Sequence, residues 1–409
     1  TALISSGSIG TTCIELCNNS KGTDMADMTP RQRMLAAIEG NEVDTIPVAP
    51  RIWRYCVWKK LSDLEFARRF GCELIVYPRA VINAVSDCPA ERLGEILPDV
   101  KVDLVQRREG AATRVERTFH TPAGILHDVY VQPDPGGEYG VAPNCHWIEH
   151  LVKTRQDVER IPYLLPPTEL VEKNLASTRE FERQMGEAGI VAYRPTVAPD
   201  AILVDAMGLE NALVASIEDP ELFARLLGIA VKWHQEVMRR ILEGGFKIIY
   251  DVWYNFSLSA GWSPSFYRQW VMPILKANAD IIHSYGAKMF HYDDGKLRNS
   301  IDCIVGAGAD MLETLTPPPS GDLDYQDVAA KYGGKICLIG GVDTVRLRFD
   351  SPAQIEQAVR DAIDIFGPTR KFILGLSDSI PDLTPEENVR AFIASARTYG
   401  KAMADKLYR

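Results

Sequence analysis

Short apolar runs rich in Val and Ile alternate along the chain with stretches of helical periodicity. The runs Ile46–Ala49, Glu73–Tyr77, Ile190–Tyr193, Lys247–Tyr250, Lys288–Phe290, Asp310–Leu312, Lys335–Ile339 and Lys371–Leu374 are each bounded by turn residues. Apolar runs of this length, alternating with helices, predict parallel strands. About eight such units predict an α/β fold of the (β/α)8 TIM-barrel type rather than an open sheet. The helix starts fit this spacing. Thr29-Pro30-Arg31-Gln32, Ser351-Pro352-Ala353-Gln354 and Thr384-Pro385-Glu386-Glu387 each read as a capping box, and Ser263-Pro264 reads as a further helix start. The stretch between the second and third strands breaks the pattern. Arg114–Phe119 and Ile125–Gln132 alternate around Thr121-Pro122-Ala123-Gly124, which predicts a β-hairpin insertion followed by a Pro-rich connection from Pro133 to Pro167.

Composition narrows the class without naming it. The 409 residues are 46% hydrophobic and 24% charged, an ordinary soluble balance. No apolar run approaches the roughly 20 residues that span a bilayer. Residues 1–28 are polar and rich in Gly and Ser, with no basic segment leading an apolar one. They read as a flexible N-terminal tail, not a secretory signal, ahead of a single domain over 29–409. A net charge of −10 with no basic stripe argues against nucleic acid. The eight cysteines form no CxxC pair, and Cys13 and Cys17 fall in the tail; the others read as free thiols of a cytoplasmic protein.

In a barrel, polar residues just past the strands gather at one mouth. Those positions hold Arg51, Arg54, Arg79, Arg194, Asp251, Trp253, Asn255, His291, Asp293, Asp294, Glu313, Asp343, Ser377 and Asp378. One imidazole and several carboxylates at a common mouth suit a divalent cation or general acid–base work. His291 and Asp293, two apart on an extended segment, point the same way and can share a ligand. The bland reading is a core histidine with loop-capping acids. Trp253, Tyr254, Trp262, Tyr267 and Trp270 either wall an apolar substrate or pack helices. Gly340-Gly341 is either an anion cradle or a tight turn. No GxGxxG or GxxxxGK[ST] occurs, so no nucleotide cofactor is indicated, and no DxHxxG supplies a corrinoid ligand.

The segments His291-Tyr292-Asp293-Asp294-Gly295-Lys296, Gly308-Ala309-Asp310, Gly340-Gly341-Val342-Asp343 and Thr384-Pro385-Glu386-Glu387-Asn388-Val389 resemble the uroporphyrinogen decarboxylase superfamily, from about Thr29 to about Gly400. That resemblance implies either a cofactor-free decarboxylase or a corrinoid-linked methyltransferase. The coenzyme-M-activating branch holds zinc through His-x-Cys and a later Cys. His291 matches the His, while Asp293 and Asp378 stand where the thiolates would be, which replaces soft ligands with hard ones. The decarboxylase's Gly-containing, Arg-rich segment corresponds to Pro50-Arg51-Ile52-Trp53-Arg54-Tyr55, which keeps two arginines and no glycine.

The resemblance that remains is to demethylating members. It implies methyl transfer from a methoxylated aryl ether to the cob(I)alamin of a partner corrinoid protein. In that reading Asp251, Glu313 and Asp294 are catalytic. Arg51, Arg54, Arg194, Trp253, Asn255 and Asp343 bind substrate. His291, Asp293 and Asp378 hold zinc, unless one of these acids instead donates a proton. The alternatives are decarboxylation of a polycarboxylate such as uroporphyrinogen, bound by Arg51, Arg54, Arg79 and Arg194, and a binding protein that has lost its ligands. A homodimer is compatible with either enzyme.

Overall fold

The computed structural model describes residues 27–86, 92–97, 99–136 and 140–408. The predicted tail over 1–28 and its two cysteines therefore lie almost wholly outside the described residues. The fold is α/β. Strands β1 (Leu74–Val76), β6 (Gly189–Val191), β7 (Ile248–Val252), β8 (Lys288–Tyr292), β9 (Met311–Leu315), β10 (Cys337–Val342) and β11 (Phe372–Leu376) alternate with helices. Their residues are buried on both faces apart from Lys288 at the start of β8. Helix cover on both faces explains why they read as unbroken apolar runs.

Five strands form a parallel sheet in the order β11-β10-β9-β8-β7, and β1 pairs with β6 in parallel. Single bridges link the two sheets. Tyr193 pairs with Ile249, Val48 pairs with Leu374, and the Glu73 N–H donates to the Val48 carbonyl at 3.0 Å. The first predicted strand, Ile46–Ala49, is thus represented by one bridge residue. The capping boxes at Thr29 and Ser351 are present, and Ser263 caps Phe266. The Thr384 hydroxyl donates to the Pro381 carbonyl.

One irregularity matters for the site. Leu338 pairs with Leu312 while Gly340 pairs with Leu315, so β9 carries an extra residue at Glu313-Thr314. Thr314 sits at φ 66°, a conformation unusual for a β-branched residue. The Gly340-Gly341 pair belongs to this bulge and is neither cradle nor turn. A Cβ on Gly340 would lie 2.9 Å from Leu315, and one on Gly341 would lie 2.9 Å from Ala362.

At the opposite strand ends a buried ionic cluster ties the termini to the sheet. Arg33 grips Asp44 through two nitrogens at 2.6 and 2.7 Å and Glu73 through a third at 2.6 Å. Glu73 also accepts from Val48 N–H at 2.9 Å and from Arg397 at 2.9 and 3.0 Å.

Between β1 and β6 in the chain lies a four-stranded antiparallel sheet, in the order β2 (Lys101–Glu109), β3 (Ala112–Thr121), β4 (Gly124–Pro133), β5 (His146–Glu149). The sequence reading has two strands here. It misses β2, where Lys-Val-Asp-Leu-Val-Gln-Arg-Arg-Glu carries no apolar alternation, and the short β5. Arg117, fully buried on this sheet, forks onto Asp128.

Candidate active site

Glu313 is the centre of the site. Its buried carboxylate accepts from Tyr77 at 2.6 Å, Tyr250 at 2.8 Å and Arg51 at 3.0 Å. Arg51 also donates to the Tyr250 oxygen at 2.5 Å and lies over the Tyr77 and Tyr292 rings at 5.2 and 4.6 Å. Burial first, and then Glu313, push the Tyr77 hydroxyl well above its ordinary value, so it remains a donor. Tyr250 is raised as well, chiefly by burial. Arg51 stays charged because Tyr250, Glu313 and Tyr292 together outweigh the burial that opposes its charge.

On the other side of Arg51 stand two more acids. Tyr292 donates to Asp294 at 2.9 Å, and Asp378 lies 3.6 Å from Arg51 Nε, with half of its side chain exposed. Burial raises the Asp294 carboxyl, and Asp378 raises it further against the opposing pull of Tyr292 and Arg51. The Arg51 Nε hydrogen is buried without a hydrogen-bond partner. Arg51, Ile52, Trp53, Tyr77, Tyr250 and Arg194 are among the residues around a cavity of about 370 Å³. Arg194 spends its Nε on the Thr196 carbonyl. Arg54 lies over the Trp53 ring.

The structure therefore brings Arg51, Glu313, Asp294 and Asp378 together. Arg194 lines the same cavity as Arg51, and the remaining predicted residues are not brought to them. Side chains on a strand alternate between faces. Tyr250, Phe290 and Tyr292 share one face with Glu313, as their ring contacts and hydrogen bonds require. Asp251 and His291 are their neighbours in sequence and so take the other face. Asp251 meets His234 at 3.1 Å, Asn278 at 3.2 Å and the Trp253 indole at 3.2 Å, beneath the helices Pro220–Glu243 and Met272–Ser284. Burial would raise its pKa, but His234, His291 and Asn278 hold it low. Burial drives His291 down to about 4, so its imidazole is neutral. Asp293, beside Asp294, Asp200 and Tyr267, is pushed well up by burial and by Asp294.

Three expectations are corrected by this geometry. The zinc set His291, Asp293 and Asp378 is not assembled, because β8 sends His291 away from the face where Asp378 meets Arg51. Among the described residues no three His, Cys, Asp or Glu side chains are placed to hold a metal ion, so these residues do not fit the zinc site that the resemblance implies. Asp251 and Trp253 are a buried pair under the helices rather than catalyst and substrate wall. Among the described residues no hydrogen bond or ion pair joins Asn255 or Asp343 to the Arg51 cluster: the Asn255 backbone N–H donates to Asp200, and Asp343 caps the helix Thr344–Phe349 with one oxygen while the other is buried without a hydrogen bond. The sequence reading placed these residues past their strands, but β7 and β8 each run two residues further than predicted. It missed Tyr77, Tyr250 and Tyr292 as site residues. The available signal was a tyrosine closing two predicted strands, Glu73–Tyr77 and Lys247–Tyr250.

Residues 141–399 match the family model described as uroporphyrinogen decarboxylase (URO-D). The chain belongs to this family. Among solved structures, a methyltransferase from Methanosarcina mazei aligns over 91% of this chain and 99% of its own at 16% identity and a TM-score of 0.58, a likeness of fold. The 3-keto-D-glucoside 4-epimerase of E. coli aligns over 55% of this chain and 95% of its own, at 10% identity and a TM-score of 0.33, too low to bear on the argument. Among curated proteins none matches the chain by sequence.

Proposed function

We propose that the protein is a methyltransferase that takes a methyl group from a methoxylated small molecule, an aryl ether, and passes it to the cob(I)alamin of a partner corrinoid protein. The fold belongs with this reading as a (β/α)8 barrel whose antiparallel sheet is an insertion. The bridges at Val48, Glu73 and Tyr193 support eight staves. The single observation that carries the chemistry is the Arg51 Nε–H. It is a buried, charged donor that makes no hydrogen bond, with Asp378 3.6 Å away, on a side chain that lines an aromatic-walled cavity and interacts with an acid whose pKa is raised.

Breaking an ether C–O bond leaves an electron pair on oxygen, and the corrinoid supplies the pair for the new bond to the methyl carbon. Arg51 stabilises the developing negative charge, held in place by Glu313, Tyr77 and Tyr250 so that it need not reorganise as the charge forms. Asp294 gives its proton to the leaving oxygen, and half-exposed Asp378 connects it to solvent. No step passes through a metal bound to the protein. Incubation of the enzyme with methoxyarenes, a reduced corrinoid protein and a reductant should produce the methylcobalamin spectrum. Its absence across a broad panel would count against the proposal. Activity should fall as pH rises through a midpoint above the ordinary aspartate range, and Asp294→Asn should abolish that limb.

Decarboxylation of a polycarboxylate has one observation in its favour: Arg51 and Arg194 both line the cavity. That reaction also needs an acid to stabilise a protonated intermediate, and Asp251, the candidate for it, faces the helices instead. Release of carbon dioxide from uroporphyrinogen would restore this reading.

A further inference from the structure

An aryl ether carries its ring one bond away from the oxygen that leaves. With that oxygen at Arg51, the ring lies against the cavity wall beside Arg51. The aromatic side chains of that wall, among the described residues, are Trp53, Tyr77 and Tyr250. Two of them are already covered. The Tyr77 and Tyr250 rings pack on each other at 4.5 Å and on Phe290 at 6.2 and 5.0 Å. The Arg51 guanidinium lies over Tyr77 at 5.2 Å, and Tyr250 is 2% exposed. Both hydroxyls are committed to Glu313.

Trp53 differs on each of these counts. It opens the helix Trp53–Lys59, whose Tyr55 and Cys56 turn to the core. With those two inside, Trp53 and Val57, one turn apart, take the outer side at 42% and 54% exposed. The Arg54 guanidinium lies 5.2 Å from the indole centroid, within the range of a cation–π contact. Among the described residues no other ring packs on the indole and no acceptor takes its N–H. The indole is thus backed by a cation and open to the cavity, two residues along the chain from Arg51.

We infer that Trp53 is the platform on which the substrate's ring stacks, and the residue that makes the site select aryl over alkyl ethers. The inference rests on the reading of this cavity as a site for aryl methyl ethers. Aromatic rings gain from offset stacking beyond the apolar area that they bury, by about two- to tenfold in affinity. A saturated ring of similar size buries comparable area and has no π face. The difference between the two ethers therefore isolates stacking from burial. Exposed apolar residues also serve as landing points for other proteins, but Val57, more exposed than Trp53, stands outside the cavity wall.

Isothermal titration of the full chain with anisole and with methoxycyclohexane tests the inference, with no corrinoid protein present. Trp53→Leu keeps an apolar side chain and removes the π face. It should weaken anisole binding about two- to tenfold and leave methoxycyclohexane nearly unchanged. Trp53→Tyr should recover most of the anisole affinity, and Val57→Ala should alter neither ether. Circular dichroism and thermal midpoints of the variants should match the wild type, since Trp53 is exposed and makes no hydrogen bond. Equal weakening of both ethers in Trp53→Leu, or no change in either, would overturn the inference and leave the demethylation reading in place. A wild type that binds neither ether would remove both. Anisole binding that depends on Trp53, without methyl transfer to a reduced corrinoid protein, would remove the reading and keep the platform.

Discussion

Two arginine clusters lie at opposite ends of the parallel strands, and they differ in what is left over. Arg33 has carboxylate or carbonyl partners for all three of its nitrogens, and Glu73 accepts on both oxygens. Nothing remains for a ligand. Arg51 is as deeply placed and also meets a buried glutamate, yet its Nε–H makes no hydrogen bond, and the acid that pairs with it at 3.6 Å is half exposed. A buried polar group left unsatisfied costs free energy. A fold retains such a group where something else completes it. The saturated cluster ties the N-terminal and C-terminal helices to the sheet, and the unsaturated one receives substrate.

That contrast can be broken, beginning with the largest effect. Arg33→Met should lower unfolding free energy by about 3–5 kcal/mol, because it leaves Asp44 and Glu73 buried with fewer partners. Methyl transfer per folded molecule should hardly change. Urea titration and a specific-activity assay together decide it, and an activity loss without destabilisation would show that the two clusters are not separate in role. Arg51→Met should do the reverse. We expect turnover to fall about 10²–10³-fold, with a smaller shift in the urea midpoint than Arg33→Met gives. Arg51→Lys should recover little, since an ammonium cannot reproduce the fork that spans Tyr250, Glu313 and the cavity.

Tyr250→Phe sharpens the comparison within the second cluster. It removes one donor to Glu313 and one of the two acceptors of Arg51, at a cost of about 1 kcal/mol, or roughly five- to tenfold in turnover. Tyr77→Phe, which loses only the Glu313 contact, should cost less.

The smallest effect concerns a third buried acid, Asp200. Burial raises it from 3.8 to about 7, despite the backbone N–H groups of Phe256, Asn255 and Ala201 that donate to it. The folded chain therefore holds this proton between about pH 4 and 7, where the unfolded chain has lost it. The stability it contributes is fully present below about pH 4 and declines as pH rises to about 7. Thermal midpoints measured across that window should fall more steeply for the wild type than for Asp200→Asn. Parallel slopes would mean that Asp200 is ionised in the folded state.

The sequence was most informative where structure is decided locally. The capping boxes at Thr29 and Ser351 depend on four consecutive residues, and both are present. The strand positions were also legible, because parallel strands covered on both faces must be apolar throughout. That same uniformity hid the facing of the residues. With no alternation inside Ile248–Val252 or Lys288–Tyr292, nothing in the sequence says that Tyr250 and Tyr292 share a face while Asp251 and His291 turn to the helices. Glu313 and Arg51 were recognisable as buried-end charges, but their tyrosine partners come from strands that only the fold brings together. Strand β2 was illegible for the opposite reason. Both of its faces are wet, so no apolar pattern marks it within the single chain.

The bulge at Thr314 carries a consequence of its own. A strand is read in two frames, one per face, and an extra residue shifts the frame as an inserted base shifts a codon. Upstream of Thr314 the odd-numbered Glu313 belongs to the ligand face. Downstream, Leu315 has an odd number too, yet it packs over Gly340, where no side chain fits. Mutational scans through Met311–Leu315 decode correctly only if the frame changes at this point. Deleting Thr314 would remove the bulge, set Glu313 opposite Ile339 and Leu315 still opposite Gly340, and leave each residue that follows on the face it already holds.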